Sequence, residues 1–325
     1  MNRYLIWFCK SIIIVVCLVC IDYGVGKVAD FVEKVHAQNA PSFVENVLSR
    51  RDDIIIIGSS TANHTYISND IRDSIGLSVF NAGKDGRFFV SQNCLINLIL
   101  DNYSPRYILW EIGEHSLSDN FGKDREFQSE TDYYPYYSNP YIKEVYDKKD
   151  SYNRWRMMSN MYKDNSNIFV DVYHVINQLI LKKNRPGDGN KSMRKDGDNN
   201  GYSPLTDGGM EDIQKITFPI SIDNINEDKV SMLIGTINRC KSNGVKIIFT
   251  SSPRYYIPNV LQTKSYLKLK DIANIEGIPI LNFYTCDSVV SKSEYFRDND
   301  HLFEQGSEDF MSIFIPELKR VLLYY

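Results

Sequence analysis

The sequence predicts an α/β fold, a parallel sheet with helices on both faces, preceded by an N-terminal transmembrane helix. Short apolar runs of strand length alternate with helical patterns, and one longer apolar segment comes before them. Of the 325 residues, 43% are hydrophobic and 24% are charged, a balance that excludes a disordered or collagen-like chain. The net charge of −4 gives no electrostatic signature of nucleic-acid binding.

The N-terminal apolar segment, Tyr4–Ile21, is interrupted only by Lys10 and Ser11. A helix of roughly 20 residues crosses a hydrocarbon core, so the segment is long enough if Lys10 reaches the interface. Arg3 and Lys10 lie toward its start, which by the positive-inside rule keeps that end in the cytoplasm. We therefore predict a single-pass signal anchor at 1–22, with the rest of the chain in the periplasm or outside the cell. A cleaved signal peptide is the alternative.

The chain after the anchor begins with a predicted helical stalk at 23–52, where apolar residues recur at helical spacing. A domain at 53–325 follows. Its first element is the β-branched run Ile54–Ile57, bounded by Gly58, which is typical of a strand buried on both faces. Similar runs predict four further strands, at Ser78–Phe80, Tyr107–Trp110, Val245–Thr250 and Ile278–Leu281.

Helical patterns occupy most of the intervals between these runs and close the chain. They lie at Ser68–Ile75, Phe88–Leu100, Asp228–Asn243, Lys264–Ile275 and Glu304–Leu323. Strands that alternate with helices indicate a parallel sheet covered on both faces. Ligands bind such sheets at the carboxyl ends of the strands, so we expect functional side chains directly after the strands.

The alternation is interrupted between Leu117 and Asn226. This stretch of about 110 residues is much longer than an ordinary connection, so we expect an insertion at 117–226 with structure of its own, or a lid. It contains the tyrosine-rich run 133–137 and a helical pattern at Ile168–Leu181. Its Gly/Asp/Asn-rich tract, 185–209, indicates a loop.

Small polar motifs follow the first two predicted strands. The run Gly58-Ser59-Ser60 lets the chain turn and places the Ser60 hydroxyl where a base can reach it and where backbone N–H groups can stabilise an oxyanion. Gly83, just after the second strand, permits close approach of the backbone to a ligand. Each motif alone is equally an ordinary turn, with Ser or Thr as a helix cap.

A third motif lies near the C-terminus, where Asp298 precedes His301 by three positions in a predicted loop. The carboxylate can hold the ring N–H of His301 and leave the other ring nitrogen as a general base. The alternative is a solvated acidic loop. A metal site is the weaker functional interpretation, because the motif offers one His without a second ligand cluster. The sequence indicates no cofactor.

Together the three motifs resemble the SGNH (GDSL-type) hydrolase family. The resemblance covers 53–325 with the insertion inside it, and it implies a flavodoxin-like three-layer α/β/α fold that cleaves or transfers acyl esters. On this resemblance Ser60 is the nucleophile, His301 the base and Asp298 its orienting partner. The N–H groups of Ser60 and Gly83 would form the oxyanion hole.

The sequence departs from the family pattern at two places. Ser59 replaces the Asp of the GDS motif, as in membrane-anchored envelope members that carry GSS. The third block, G-x-N-D in the family, is Gly113-Glu114-His115-Ser116 here. The Asn side chain that would complete the oxyanion hole is therefore missing, and the loss of one such donor typically lowers kcat about 10²–10³-fold.

Three further residues are candidate substrate contacts. Glu114 and His115 stand at the end of the third predicted strand. Arg254 follows the fourth, where its guanidinium would meet an anionic substrate or lie in a surface loop.

A separate tract resembles the first half of a calcium-binding loop. Asp196, Asp198, Asn200 and Gly201 have the spacing of its first ligands, and Asp207 stands at the twelfth position. The tract lacks the final Glu, so a flexible polar loop is the default interpretation.

These observations lead to a functional hypothesis. We expect a membrane-anchored, outward-facing serine esterase or O-acyltransferase that acts on acyl esters, chiefly acetyl esters of cell-envelope or exported polysaccharide. The polysaccharide assignment rests on the anchor, the tyrosine-rich insertion and analogy with anchored family members. The alternative is a non-catalytic envelope protein that binds glycan or a partner in the same cleft. The changed third block favours that alternative, and the Asp298/His301 pair argues against it.

Overall fold

The structure, a computed structural model, describes residues 3–39, 42–119, 126–127, 130–164, 172, 176, 199–209, 213–217, 224–257 and 261–325. The chain divides into two compact units. Met1–Asn46 and Glu130–Gly187 form the first, and Val47–Ser129 and Asp188–Tyr325 form the second. Most of the helical pattern predicted at Ile168–Leu181 lies outside the described residues.

Five parallel strands form the sheet of the second unit: β1 Ile54–Ile57, β2 Val79–Asn81, β3 Tyr107–Glu111, β4 Lys246–Ser251 and β5 Ile280–Asn282. Their order is β2-β1-β3-β4-β5, and every neighbouring pair is parallel. This is the flavodoxin-like strand order. The predicted fold class is confirmed, and each strand begins and ends within two residues of its predicted run.

The longer helices of the second unit also begin and end close to the predicted patterns. In chain order the described helices are α1 Arg3–Asn39, α2 Phe43–Ser49, α3 Ser60–Thr65, α4 Ser68–Ile75, α5 Phe89–Asn102, α6 Pro140–Lys149, α7 Asn153–Arg156, α8 Asn160–Asp164, α9 Glu227–Ser242, α10 Lys264–Glu276, α11 Asp287–Val290 and α12 Glu304–Tyr324. Side-chain oxygens of Asn226 and Thr263 cap α9 and α10 by accepting from backbone N–H groups. Gly277 ends α10 in the left-handed conformation, at φ 66°.

Helices cover both faces of the sheet, because alternate strand residues point to opposite sides. Ile54 and Ile56 of β1 share a core with apolar side chains of α4 and α12. On the other face, Trp110 of β3 stacks on Phe89 of α5, with 5.9 Å between ring centroids. All four residues of β1 are fully buried, as expected of a strand that is covered on both sides.

The first unit joins α1 to part of the insertion. α1 continues without a break from the predicted anchor into the predicted stalk. Its stretch Arg3–Val32 is long and apolar enough to cross a membrane. Asp22, within this stretch, accepts hydrogen bonds from the backbone N–H groups of Asn160 and Met161, both at 3.0 Å. These N–H groups begin α8, so the Asp22 carboxylate caps that helix.

The tyrosine-rich run packs inside the first unit. Tyr133 and Tyr134 are 1% and 3% exposed. The Tyr134 ring stacks on Tyr162 and meets Tyr146 edge-on, each with 5.9 Å between ring centroids. These tyrosines do not offer the exposed faces on which a sugar would stack, so they give the polysaccharide assignment no support.

Candidate active site

Ser60 begins α3 directly after β1, and its hydroxyl meets an imidazole from the far end of the chain. Ser60 Oγ and His301 Nε2 are 2.7 Å apart. The other ring nitrogen, Nδ1, lies 2.8 and 2.9 Å from the two carboxylate oxygens of Asp298. With the proton on Nδ1, His301 Nε2 is free to accept the hydroxyl proton of Ser60, which makes the hydroxyl a stronger nucleophile.

A glycine makes the sharp turn before Ser60. A Cβ on Gly58 would lie 2.5 Å from Ala62 Cβ and 3.0 Å from Glu111 Cβ, closer than side-chain atoms approach. Only a residue without a side chain allows α3 to start so near the end of β1. Gly58 therefore holds the Ser60 hydroxyl at the carboxyl edge of the sheet.

The Asp298–His301 loop is stabilised by its own backbone. Asp298 Oδ1 accepts from the N–H groups of Asp300 at 2.8 Å and His301 at 3.0 Å. Burial raises the pKa of Asp298, but the hydrogen bond and charge of His301 together with these N–H groups outweigh it and hold the pKa below its usual value. The carboxylate is therefore ionised while it orients the ring.

A buried arginine fastens this loop to the sheet. Arg254, 8% exposed, donates to the Asp300 carbonyl at 3.0 Å and to the buried carboxylate of Glu111 at 3.3 Å. The Tyr255 N–H donates to the Asn299 carbonyl at 2.9 Å. Arg254 is thus neither in an open surface loop nor free to bind an anionic substrate, because both ends of its guanidinium are bound within the protein.

The predicted oxyanion donor at Gly83 needs a correction. Its N–H donates to Asn81 Oδ1 at 2.8 Å, so in this arrangement it is not free to receive an oxyanion. A Cβ here would lie 2.5 Å from the Asn63 nitrogen, so the glycine is needed for the close packing of its loop against α3. The Ser60 N–H is the remaining predicted donor.

Glu114 and His115 lie below the surface rather than along an open cleft. They are 8% and 4% exposed, and His115 Nε2 is 4.0 Å from the Glu114 carboxylate. The Thr263 hydroxyl donates to the Glu114 carbonyl at 3.1 Å. Burial of this kind fits a structural role better than the predicted contact with substrate.

Two residues beside Ser60 and His301 belong to none of the predicted motifs. The His64 ring meets the His301 ring edge-on, with 5.8 Å between centroids, and His64 also contacts the Asp85 carboxylate. The sequence does indicate that His64 lies near Ser60, because a residue four positions after Ser60 lies on the same side of a helix. Asp85 has no spacing signal of this kind.

The described residues give no support to a metal site. No group of three or more His, Cys, Asp and Glu among them is placed to hold a metal ion. Asp196 and Asp198 of the calcium-like tract lie outside the described residues. The Asn200 side chain from the same tract accepts from Arg50 at 3.0 Å and donates to Asn69 at 2.8 Å, so it is bound within the protein.

The chain is similar in structure to three solved proteins. A proposed acylhydrolase from Bacteroides fragilis is 13% identical, with 83% of this chain and 87% of that chain covered and a TM-score of 0.38. A lipase/acylhydrolase from Enterococcus faecalis is also 13% identical, with 82% and 94% of the two chains covered and a TM-score of 0.38. A GDSL-like lipase from Bacteroides thetaiotaomicron is 11% identical, with 91% and 99% covered and a TM-score of 0.37. No protein-family model and no curated protein sequence matches the chain. At such identities the role of each residue rests on its own contacts.

Proposed function

We propose that this chain is a serine ester hydrolase or O-acyltransferase of the SGNH type, with Ser60 as its nucleophile. The observation that carries the proposal is the continuous hydrogen-bonded row from the Ser60 hydroxyl through the His301 ring to the Asp298 carboxylate. Such a row activates a hydroxyl for attack on an acyl carbonyl. Among the described residues, this row lies at the carboxyl edge of the sheet, where parallel α/β folds bind ligands.

The reaction follows from these contacts. Ser60 Oγ forms a bond to the acyl carbon while its proton passes to His301 Nε2. The tetrahedral intermediate collapses, the bond to the alcohol breaks, and the alcohol leaves with the proton that His301 returns. Water or a second alcohol then gives its proton to His301 and attacks the acyl carbon. The bond between that carbon and Ser60 Oγ breaks, and His301 returns the proton to Ser60 Oγ, which restores the starting state. Throughout, the Asp298 carboxylate stabilises the positive charge that forms on His301.

The oxyanion is the weak point of this mechanism. We assign it to the Ser60 N–H, which has no intrahelical partner because Ser60 begins α3, whereas the Gly83 N–H would first have to leave Asn81 Oδ1. The third-block Asn is absent from the sequence. Even with the Gly83 N–H released, the missing Asn leaves one donor fewer than the family has, so we expect a slow enzyme, at about 10²–10³-fold below a complete site.

We further propose that the substrate is an acetyl ester of envelope or exported polysaccharide and that the site faces outward. The N-terminal helix that could span a membrane supports this, since Arg3 and Lys10 would keep its start in the cytoplasm. An acyl donor outside the cell is then an ester carried by the envelope. Hydrolase and transferase differ only in whether an acceptor alcohol outcompetes water.

The test is turnover of an aryl acetate by the full chain in detergent. The Ser60→Ala variant should lose at least about 10³-fold in kcat, because it removes the nucleophile. The Ser59→Ala variant is the matched control: its hydroxyl lies 3.0 Å from Thr61 Oγ1 rather than at His301, so it should keep most of the activity. Equal turnover by wild type and Ser60→Ala would disprove the nucleophile assignment.

A non-catalytic glycan-binding or partner-binding role is the second candidate. The observation that favours it is the occupied N–H of Gly83 together with the missing Asn. A fluorophosphonate probe separates the two functions, because it labels an activated serine. Labelling that disappears in Ser60→Ala supports the enzyme, whereas an unlabelled wild type supports the binding role.

A further inference from the structure

A second imidazole–carboxylate pair lies beside the Ser60–His301–Asp298 row. His64, on α3, is 6% exposed, and its Nδ1 lies 2.6 Å from the Ser203 carbonyl oxygen. Its Nε2 lies 3.1 Å from Asp85 Oδ1. The His64 ring is held edge-on to His301, at an interplanar angle of 76°. The pair is therefore fixed in place next to the base of the proposed reaction.

Asp85 differs from every other member of this cluster in its exposure. Its side chain is 59% exposed, although Asn63 Nδ2 donates to Oδ1 at 2.9 Å and His64 holds it from the protein side. Partial burial raises the pKa of Asp85, but the bonds from His64 and Asn63 and the charges of His64 and His301 hold the pKa well below its usual value. Asp85 thus presents an ionised, oriented carboxylate to solvent.

The loop that carries Asp85 is bound directly to the turn that carries the nucleophile. The Lys84 N–H donates to the Gly58 carbonyl at 3.2 Å. Gly83 packs so closely on α3 that a Cβ there would lie 2.5 Å from the Asn63 nitrogen. Gly83 and Lys84 immediately precede Asp85, and His64, which meets His301 edge-on, contacts its carboxylate, so that carboxylate stands beside the Ser60–His301–Asp298 row.

The charges around Asp85 select the kind of group it can bind. The Arg87 guanidinium donates to the backbone carbonyl of Asp85 at 3.4 Å, and Lys84 is adjacent to Asp85 in the chain. A cationic ligand would meet these two positive side chains. A neutral hydroxyl would not, and its O–H makes a strong bond to an ionised carboxylate.

We propose that Asp85 is a substrate-binding residue that accepts hydrogen bonds from free hydroxyl groups on the alcohol part of the ester, a sugar or another polyol. The inference rests on the proposed function and adds to it a residue that determines specificity. It explains why a carboxylate outside the row is held by two donors and yet remains open to solvent.

The experiment compares two esters on the full chain in detergent. One is an aryl acetate, whose leaving group has no free hydroxyl, and the other is a monoacetylated methyl glucoside, which has three. In Asp85→Asn, kcat/KM for the sugar ester should fall about 10- to 100-fold, the value of a lost hydrogen bond to a charged group, while aryl acetate turnover stays within about twofold. Asp73→Asn, an exposed carboxylate on α4, is the control and should change neither.

Several results would overturn the inference. An equal loss on both esters would mean that Asp85 acts by positioning His64 and His301. A wild type that leaves the sugar ester unreacted, or an Asp85→Asn variant that processes it normally, would exclude hydroxyl binding. A loss confined to an ester with an ammonium group, such as O-acetylserine, would assign Asp85 to cations. Failure of the proposed function is separate, since it appears as equal aryl acetate turnover by wild type and Ser60→Ala.

Discussion

The Asp298 carboxylate binds the His301 ring and two backbone N–H groups at the same time. Each of these donors favours the ionised carboxylate, which is why its pKa lies below the usual value although burial acts in the opposite direction. Protonation of Asp298 would weaken the contact that fixes the ring and the contacts that shape the loop. One residue therefore links the stability of this loop to the alignment of its base.

The stability of the protein should reflect this pKa. Because the folded-state pKa of Asp298 is lower than the unfolded value of about 3.9, its ionised form stabilises the folded chain above that pH, and the contribution is lost as the pH falls through the folded-state pKa. Asp298→Asn should lower the free energy of unfolding near pH 7, and the difference in this free energy between wild type and variant should become smaller toward pH 3. Urea unfolding across that range measures it. A difference in unfolding free energy that grows at acid pH would contradict the lowered pKa of Asp298.

The site was predictable only where its signal is local. Ser60 follows a strand with a clear apolar pattern, and Asp298 and His301 are close in sequence, so their meeting follows from the rule that strand ends share one edge. The family resemblance implies that Gly83 is an oxyanion donor, and no sequence pattern shows that the Asn81 side chain accepts its N–H. Asp85 and its contact with His64 depend on tertiary packing, which no spacing reveals.

Among the elements, the loop at 298–301 depends on β4 for its position. Arg254 joins the Asp300 carbonyl to Glu111 at the end of β3, and reciprocal bonds join Asn299 to Tyr255. Burial raises the pKa of Glu111, although the Arg254 charge and the Ser252 hydroxyl act against it. A forked guanidinium can hold two elements at once, which a single ammonium cannot. Arg254 is thus a positioning residue for the loop of His301.

Substitution of Arg254 should separate this role from simple folding. Arg254→Lys keeps the positive charge but loses the guanidinium that binds Asp300 and Glu111 together. The His301 base should then be misplaced, so kcat for an aryl acetate should fall about 10- to 100-fold with a smaller change in KM. Arg254→Met leaves Glu111 buried without its cation and should destabilise by about 3–5 kcal/mol. Steady-state kinetics and urea unfolding measure the two effects. Arg320→Lys, an exposed partner of Glu317, is the control, and wild-type kcat in Arg254→Lys would exclude the role.

The strands and long helices could be predicted from the sequence because their apolar residues recur at regular spacing. The five β-branched or apolar runs could form little else between turn residues, and α4 and α10 start at the predicted positions. The six-residue α3 is too short to give a periodic signal. The packing of the insertion against α1 was not predictable, since it depends on contacts such as that of Asp22 with α8 rather than on local pattern.

In the whole molecule, α1 combines two environments along one helix. The apolar side chains of 12–21 are mostly exposed, as in a helix made for contact with lipid. Asp22 marks the change, because its carboxylate is bound by the Ser159 hydroxyl at 2.6 Å and by the first N–H groups of α8. Such a carboxylate belongs outside the hydrocarbon core. On this basis we place the end of the proposed anchor at about residue 22.

Truncation can distinguish the two parts of α1. Removal of 1–21 should move the chain from the membrane to the soluble fraction and leave the first unit folded, because the Asp22 cap remains. Asp22→Ala in the full chain should stay in the membrane but lose about 0.5–2 kcal/mol of stability in that unit, the value of a helix cap. Membrane fractionation measures where each chain is found, and limited proteolysis measures whether the first unit is folded. A truncated chain that remains membrane-bound would argue against the anchor.

The strand β2 lies at one border of the sheet, and the end of the insertion covers it. The Asn81 N–H donates to the Asn200 carbonyl at 2.9 Å. Gly201, at φ 87°, lies so close that a Cβ would come within 2.0 Å of the Asn81 oxygen. An exposed edge strand has unpaired backbone N–H and C=O groups that can pair with another polypeptide and lead to aggregation. Here the protein's own polypeptide occupies that position, so a second copy is kept from pairing with the sheet along this side.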